Sequence, residues 1–166
     1  MRRTGGSTRS RAAAAIATAV GLLLLAGCHY RGTGEVKSET GSGSAYFVFD
    51  LSCPTGGTVQ DGTIDYVDRA AGVTLVGTAS GPPPSPFTPP TCEPNSRGQG
   101  IFTGTYVSPS GPGNSGTFYL DVTPSSAGTM SGATFDLHLT GGPNDGYSNS
   151  GPVVLGSITP VGGPTS

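Results

Sequence analysis

The chain has 166 residues, 29 of them glycine and 15 proline, with no tryptophan and a formal charge of −2 at pH 7. That length holds one domain of ordinary size and is short for two. Glycine at this density opposes long helices, and only eight Lys and Arg residues in all leave little with which to grip nucleic acid.

The first residues have the layout of an export signal. Arg2, Arg3, Arg9 and Arg11 precede a continuous apolar or small run over 12–26. The run is shorter than the about 20 apolar residues needed to cross the hydrocarbon core. It ends in the small pair Ala26-Gly27, followed at once by cysteine. Leu25-Ala26-Gly27-Cys28 resembles the lipobox of bacterial lipoproteins. The resemblance implies that a lipoprotein-specific signal peptidase recognises Leu25, Ala26 and Gly27 and cuts before Cys28, whose sulfur carries a diacylglycerol group. Residues 1–27 are then a signal peptide, and Cys28 is the first residue of the mature chain. Each buried CH₂ contributes ~0.8 kcal/mol, so one acyl chain binds marginally and two or more anchor stably. The expected location is the outer face of the cell membrane, lipid-anchored, or an outer membrane where the cell has one. Arg2-Arg3 raises a twin-arginine export route, but Thr4-Gly5-Gly6 stands where its hydrophobic followers belong, which favours the general secretory route.

Removing 1–27 leaves 139 residues, in which Arg31, Lys37, Arg69 and Arg97 face all ten acids, a formal charge of −6. That balance argues against nucleic acid and against a polybasic hold on anionic lipid heads, leaving the acyl chains as the membrane contact. With Cys28 claimed by lipid, Cys53 and Cys92 are free to pair as a disulfide in an oxidising compartment. The 38 residues between them make a loop whose closure is worth about 4 kcal/mol in the chain-entropy model. Two buried thiols or a metal pair are the alternatives, and the absence of a neighbouring His or Cys at ligand spacing argues against zinc.

Residues 28–44 follow the cut as a lipidated N-terminus and flexible tether, polar and without apolar periodicity. At ~5–6 Å × √n, the 16 residues 29–44 reach about 20–24 Å. Over 45–159 a single β domain is expected, with strands at 45–52, 62–67, 73–78, 100–107, 116–123, 133–140 and 153–159. The clearest alternation places Phe118, Leu120 and Val122 on one face, and the next run repeats it with Phe135, Leu137 and Leu139, an antiparallel pair with one wet face. Asp61-Gly62 reads as a tight turn. The run from Gly81 to Cys92, within a Pro-rich loop over 81–96, is extended and semi-rigid. Pro83-Ser85-Pro86 has the spacing of proline-rich ligands, but a stiff insertion tied down at Cys92 is the simpler reading. Residues 160–166 form a frayed tail. Short strands with turn signals between them predict an all-β fold, an antiparallel β-sandwich of seven to eight strands, with a closed barrel as the alternative.

Catalytic constellations are thin. His29 sits in the tether beside Cys28. Matching the apolar faces of 117–123 and 133–139 places Asp121 opposite Asp136 and Tyr119 opposite His138. Adjacent carboxylates can raise a pKa for acid–base work or hold a hard cation, although an ordinary solvated sheet face gives the same pattern. Asn144-Asp145-Gly146-Tyr147 offers oxygen ligands, but turns use these residues for backbone reasons. No nucleophile elbow, phosphate loop or zinc-protease helix is present.

Gly141-Gly142-Pro143-Asn144-Asp145-Gly146-Tyr147-Ser148-Asn149-Ser150-Gly151, followed by Val153-Val154-Leu155-Gly156-Ser157-Ile158, resembles the closing part of uncharacterised small exported all-β domains of high-GC bacteria. Gly62-Thr63-Ile64-Asp65-Tyr66-Val67-Asp68 and Phe102-Thr103-Gly104-Thr105-Tyr106 fit the same resemblance, which implies an exported all-β module and no particular activity. The expected function is therefore a lipid-anchored envelope protein, not an enzyme, with a binding or structural role and no cofactor or metal. Its partner beyond the membrane is an envelope protein or glycan. The alternatives are a small hydrolase or metal-dependent enzyme using Asp121, Asp136 and His138, and a carrier of a hydrophobic ligand in a barrel cavity.

Overall fold

The computed structural model describes residues 28–53, 59–80, 98–109, 113–125 and 132–161. In chain order the strands are β1 (Cys28–Lys37), β2 (Ser44–Cys53), β3 (Asp61–Asp68), β4 (Val73–Ala79), β5 (Gly100–Val107), β6 (Ser115–Thr123), β7 (Thr134–Thr140), β8 (Ser148–Pro152) and β9 (Leu155–Pro160), with one 3₁₀ turn, Gly142–Asn144, before β8. The all-β, antiparallel expectation holds. The seven expected strands are β2–β7 and β9, with no boundary displaced by more than two residues. No helix among the described residues is long and apolar enough to cross a membrane.

All nine strands share one sheet in the order β8-β7-β6-β5-β4-β3-β2-β1-β9. The sheet curls round its own core as a half-barrel, and the segment from β8 to β9 bridges its two edges. Val153 N–H donates to the Ala133 carbonyl beside β7 (3.0 Å), and the next residue, Val154, donates to the Glu35 carbonyl in β1 (2.8 Å).

Alternating burial drives the curl. Along β2, Ala45, Phe47, Phe49, Leu51 and Cys53 are buried, while Tyr46, Val48 and Asp50 face outward. Inside, Phe135 stacks on Phe47 with centroids 4.5 Å apart and on Tyr66 at 5.8 Å, and Tyr30 meets Phe102 edge-on at 6.0 Å. These rings occupy the interior that a hydrophobic-ligand carrier would have to leave empty.

The structure corrects the expected tether. Residues 28–37 are β1, hydrogen-bonded between β2 and β9. Its inward positions hold Tyr30, Gly32, Gly34 and Val36, and Gly32 and Gly34 lie opposite Phe49 and Phe47. A Cβ on Gly32 would sit 2.3 Å from the Phe49 ring. The partner strand's aromatics therefore fill the space these glycines leave. Two residues of the expected tail belong to the sheet, since Pro160 ends β9 and Val161 N–H donates to the His29 carbonyl at 2.7 Å, and 162–166 lie outside the described residues. Asp61-Gly62 opens β3 rather than making a turn. Gly62 pairs with Leu51 at φ +116°, and a Cβ there would meet the Asp50 carbonyl oxygen at 2.0 Å.

A buried polar cluster ties three connections together. The Asp68 carboxylate accepts from Ser38 Oγ (2.7 Å), Tyr147 Oη (2.9 Å) and the amides of Ala70 (3.0 Å) and Ala71 (3.1 Å). Tyr66 and Tyr147 share a hydroxyl contact of 2.6 Å, and Asn149 Nδ2 donates to Tyr66 Oη at 2.7 Å. The β1–β2 turn, the β3–β4 turn and the approach to β8 thus meet at one carboxylate.

Candidate functional site

The β6–β7 register follows from two matched apolar faces. Phe118, Leu120 and Val122 are buried opposite Leu139, Leu137 and Phe135. The outward residues then pair as expected, Asp121 with Asp136 and Tyr119 with His138. His138 Nε2 stands 2.9 Å from Asp136 Oδ1, but off the axis of a hydrogen bond, so this oxygen has no hydrogen-bond partner among the described residues. Gln99 Nε2 donates to Asp121 Oδ2 from the segment before β5. Tyr119 and His138 rings lie 5.9 Å apart at 57°.

The electrostatics follow from this crowding. Partial burial pushes the Asp121 carboxyl above its ordinary value. Gln99 pulls it back by hydrogen bonding, and the Asp136 charge pushes it up again. Burial, helped by both carboxylates, raises the Tyr119 phenol to about 12. An NMR titration of the Asp121 side chain is therefore expected to show a midpoint above that of an exposed aspartate. Asp136→Asn should lower the midpoint and Gln99→Ala should raise it further. No movement in either variant would show that the three groups are not coupled.

Beside this cluster lies a shallow trough of about 410 Å³ over β4–β7, lined by Ser80, Thr103, Thr105, Thr117, Tyr119 and Thr140 among others. Thr105, Thr117 and Thr140 belong to a longer row, which pattern reading of single strands did not pick out. Thr63, Thr78, Thr105, Thr117 and Thr140 are successive cross-strand partners from β3 to β7, all exposed. The same row continues through Asp50 and Arg31 to Thr159. A second depression of about 370 Å³ lies at that end, between β3 and β9.

His29 belongs to this second region and not to a tether. Its Nε2 lies 2.6 Å from Asp50 Oδ1, and Arg31 Nε donates to Asp50 Oδ2 at 2.8 Å. The His29 hydrogen bond, with that of Arg31, holds the Asp50 carboxyl below its ordinary value. The Asn144–Tyr147 segment is used structurally. Asp145 Oδ1 accepts from the Gly141 amide at 2.7 Å, and Tyr147 reaches Asp68. Among the described residues no group of three or more His, Cys, Asp or Glu side chains is placed to hold a metal ion.

Cys28 is the first residue of β1 and the register partner of Cys53, which is buried at the end of β2. Leu25, Ala26, Gly27, Cys92 and the Pro-rich loop over 81–96 lie outside the described residues. No protein-family model, curated protein or solved structure matches this chain.

Proposed function

We propose that this is a lipid-anchored cell-envelope protein whose single β domain has a non-catalytic binding role at the extracytoplasmic surface. The observation that carries the reading is Leu25-Ala26-Gly27-Cys28 at the end of the apolar run behind four arginines. A cut immediately before Cys28 would remove none of the nine described strands. The binding role is supported by the open outer face of β4–β7. Asp136 and His138 side chains there are 40% and 51% exposed, with no wall among the described residues to keep water from a reacting group.

The test is metabolic labelling with a fatty-acid analogue, followed by fractionation, on wild type and Cys28→Ser. Wild type is expected to be labelled and held in the membrane fraction, and the variant unlabelled and released. Unlabelled wild-type protein would refute the anchor. Peptide mapping without reductant gives an independent check. Opposed antiparallel residues sit ~4.5–5.5 Å apart at Cα, within disulfide range, so Cys53 has a potential partner in Cys28 as well as in Cys92. An acylated Cys28 leaves only the Cys53–Cys92 linkage, and a Cys28–Cys53 peptide from the mature protein would contradict lipidation.

One observation favours a second reading, a small hydrolase or metal-dependent enzyme. It is the pairing of Asp121 with Asp136 beside His138. This reading expects a hydrolytic rate that disappears in both Asp121→Asn and Asp136→Asn, and equal rates in wild type and variants would remove it.

A further inference from the structure

The register of the sheet assembles an apolar patch on its outer face from β9 to β5. Tyr46, Val48, Val76, Val107 and Leu155 are 49% to 60% exposed. Tyr46 and Val48 are successive outward residues of β2. Across the strands, Glu35 lies between Leu155 and Tyr46, and Tyr46 is followed by Val67. In the next row Val48, Asp65, Val76 and Val107 follow one another from β2 to β5. Opposed side chains on one face are direct neighbours, so each row sets a carboxylate between apolar groups. Single exposed apolar residues are ordinary on a protein surface, whereas a contiguous set marks an interaction site.

The charges select the partner. Among the described residues neither the Glu35 nor the Asp65 carboxylate has a hydrogen-bonding or ionic partner, and the exposed Lys37, two residues along β1, forms no ion pair with Glu35. Asp50, by contrast, is satisfied by His29 and Arg31. From Cys28 onward four Lys and Arg oppose ten acids, and one of each, Arg97 and Glu93, lies outside the described residues, which therefore carry the whole formal charge of −6. That charge repels an anionic bilayer or a second copy of the chain and attracts a cation. The patch is also remote from the proposed anchor, since Glu35 lies seven residues along β1 from Cys28, about 23 Å at ~3.3 Å per residue. A Lys or Arg side chain fits the pattern, its head at the carboxylate and its methylene stem along the valines or the Tyr46 ring. We propose that the outer face around Glu35 and Asp65 docks a cationic, amphipathic segment of another polypeptide, with Lys or Arg at the two carboxylates and apolar side chains against Tyr46, Val48 and Val76. This rests on the binding role proposed above and names the partner class for it.

The test is fluorescence anisotropy of labelled octapeptides with the full chain in a neutral detergent, empty micelles serving as the blank. Lys and Val alternate in the first peptide, Glu and Val in the second, Lys and Ser in the third. The Lys-Val peptide is expected to bind at least tenfold more tightly than either of the others. Glu35→Gln with Asp65→Asn, and separately Val48→Thr with Val76→Thr, which keeps β-branched side chains on the strands, are each expected to weaken it at least tenfold with unchanged circular dichroism. Asp61→Asn with Asp145→Asn removes the same charge from outside the patch and is expected to cost less than about threefold. An equal loss in that control would show attraction by net charge alone and overturn the site, as would equal binding of the three peptides or no binding of the first. A photo-cross-linker at position 46 or 117 in intact cells separates this failure from failure of the binding role. An adduct at 46 whose linked peptide carries net positive charge supports the proposal. A lipid, glycan, self or acidic-peptide adduct at 46, or adducts at 117 alone, overturn the partner class and leave the binding role standing, and no adduct at either position overturns both.

Discussion

Phe135→Ala is expected to cost about 3–5 kcal/mol of folding stability, the range for losing a large aromatic from a packed core. Phe135 is fully buried and is the middle ring of a stack, 4.5 Å from Phe47 and 5.8 Å from Tyr66. It thereby joins β7 to β2 and β3 across the curl of the sheet, strands that are not neighbours of β7. The substitution removes the transfer energy of the ring and leaves a void that two flanking aromatics are too rigid to fill. Urea unfolding of wild type and variant measures the loss. Phe135→Leu, which keeps most of the volume, should cost distinctly less. A loss below about 1 kcal/mol for Phe135→Ala would mean that the interior collapses easily around this site.

Asp68→Ala is expected to cost about 3 kcal/mol or more. Two hydroxyls and two backbone amides lose their acceptor, and each buried group left unpaired costs about 1–3 kcal/mol before relaxation. The effect also depends on pH. Burial raises the Asp68 carboxyl, but the hydrogen bonds from Ser38, the Ala71 amide, Tyr147 and the Ala70 amide outweigh it and hold the group below its ordinary value of 3.8. A carboxyl depressed in the folded state contributes stability that is fully present above its unfolded pKa and is lost as pH falls through the folded pKa. Wild type should therefore weaken in acid below about pH 4, and Asp68→Asn should flatten that slope. Asp50, also depressed, leaves part of the slope in place. Chemical unfolding between neutral pH and the acid range measures it, and an unchanged slope in the variant would show that Asp68 titrates alike folded and unfolded. The same cluster holds two phenols in their neutral form. Burial pushes Tyr66 up to about 12 and, with its hydrogen bonds to Tyr66 and Asp68, lifts Tyr147 further.

The strands that were legible in the sequence are those whose inward positions carry apolar side chains. Phe118, Leu120 and Val122 against Phe135, Leu137 and Leu139 determined a register as well as a pair, and the placement of Asp121, Asp136, Tyr119 and His138 followed. β1 was illegible because two of its inward positions are Gly32 and Gly34, which take their apolar cover from Phe49 and Phe47. β8 was illegible because its one buried residue is Asn149, held by a hydrogen bond to Tyr66 from a distant strand. The Asp68 cluster joins residues 38, 68 and 147, and no local pattern reports such a meeting. The threonine row has the same character. Each strand contributes one threonine, so it exists only once the order and register of the strands are known.

The way the segment 148–160 joins β7 to β1 also bears on self-association. A sheet edge is a row of unpaired amides and carbonyls that can recruit a strand from another molecule, and long flat edges invite aggregation. Here the two edge strands are β8 and β9, of five and six residues, and the residues between them spend their amides on opposite margins of the sheet. β8 ends in proline and β9 carries a glycine at φ +98°, features that interrupt a regular ladder. The longest strands, β1 and β2, have neighbours on both sides. Among the described residues the sheet edges therefore offer other copies of the chain short, interrupted templates, which guards a glycine-rich sheet against edge-to-edge growth into fibres.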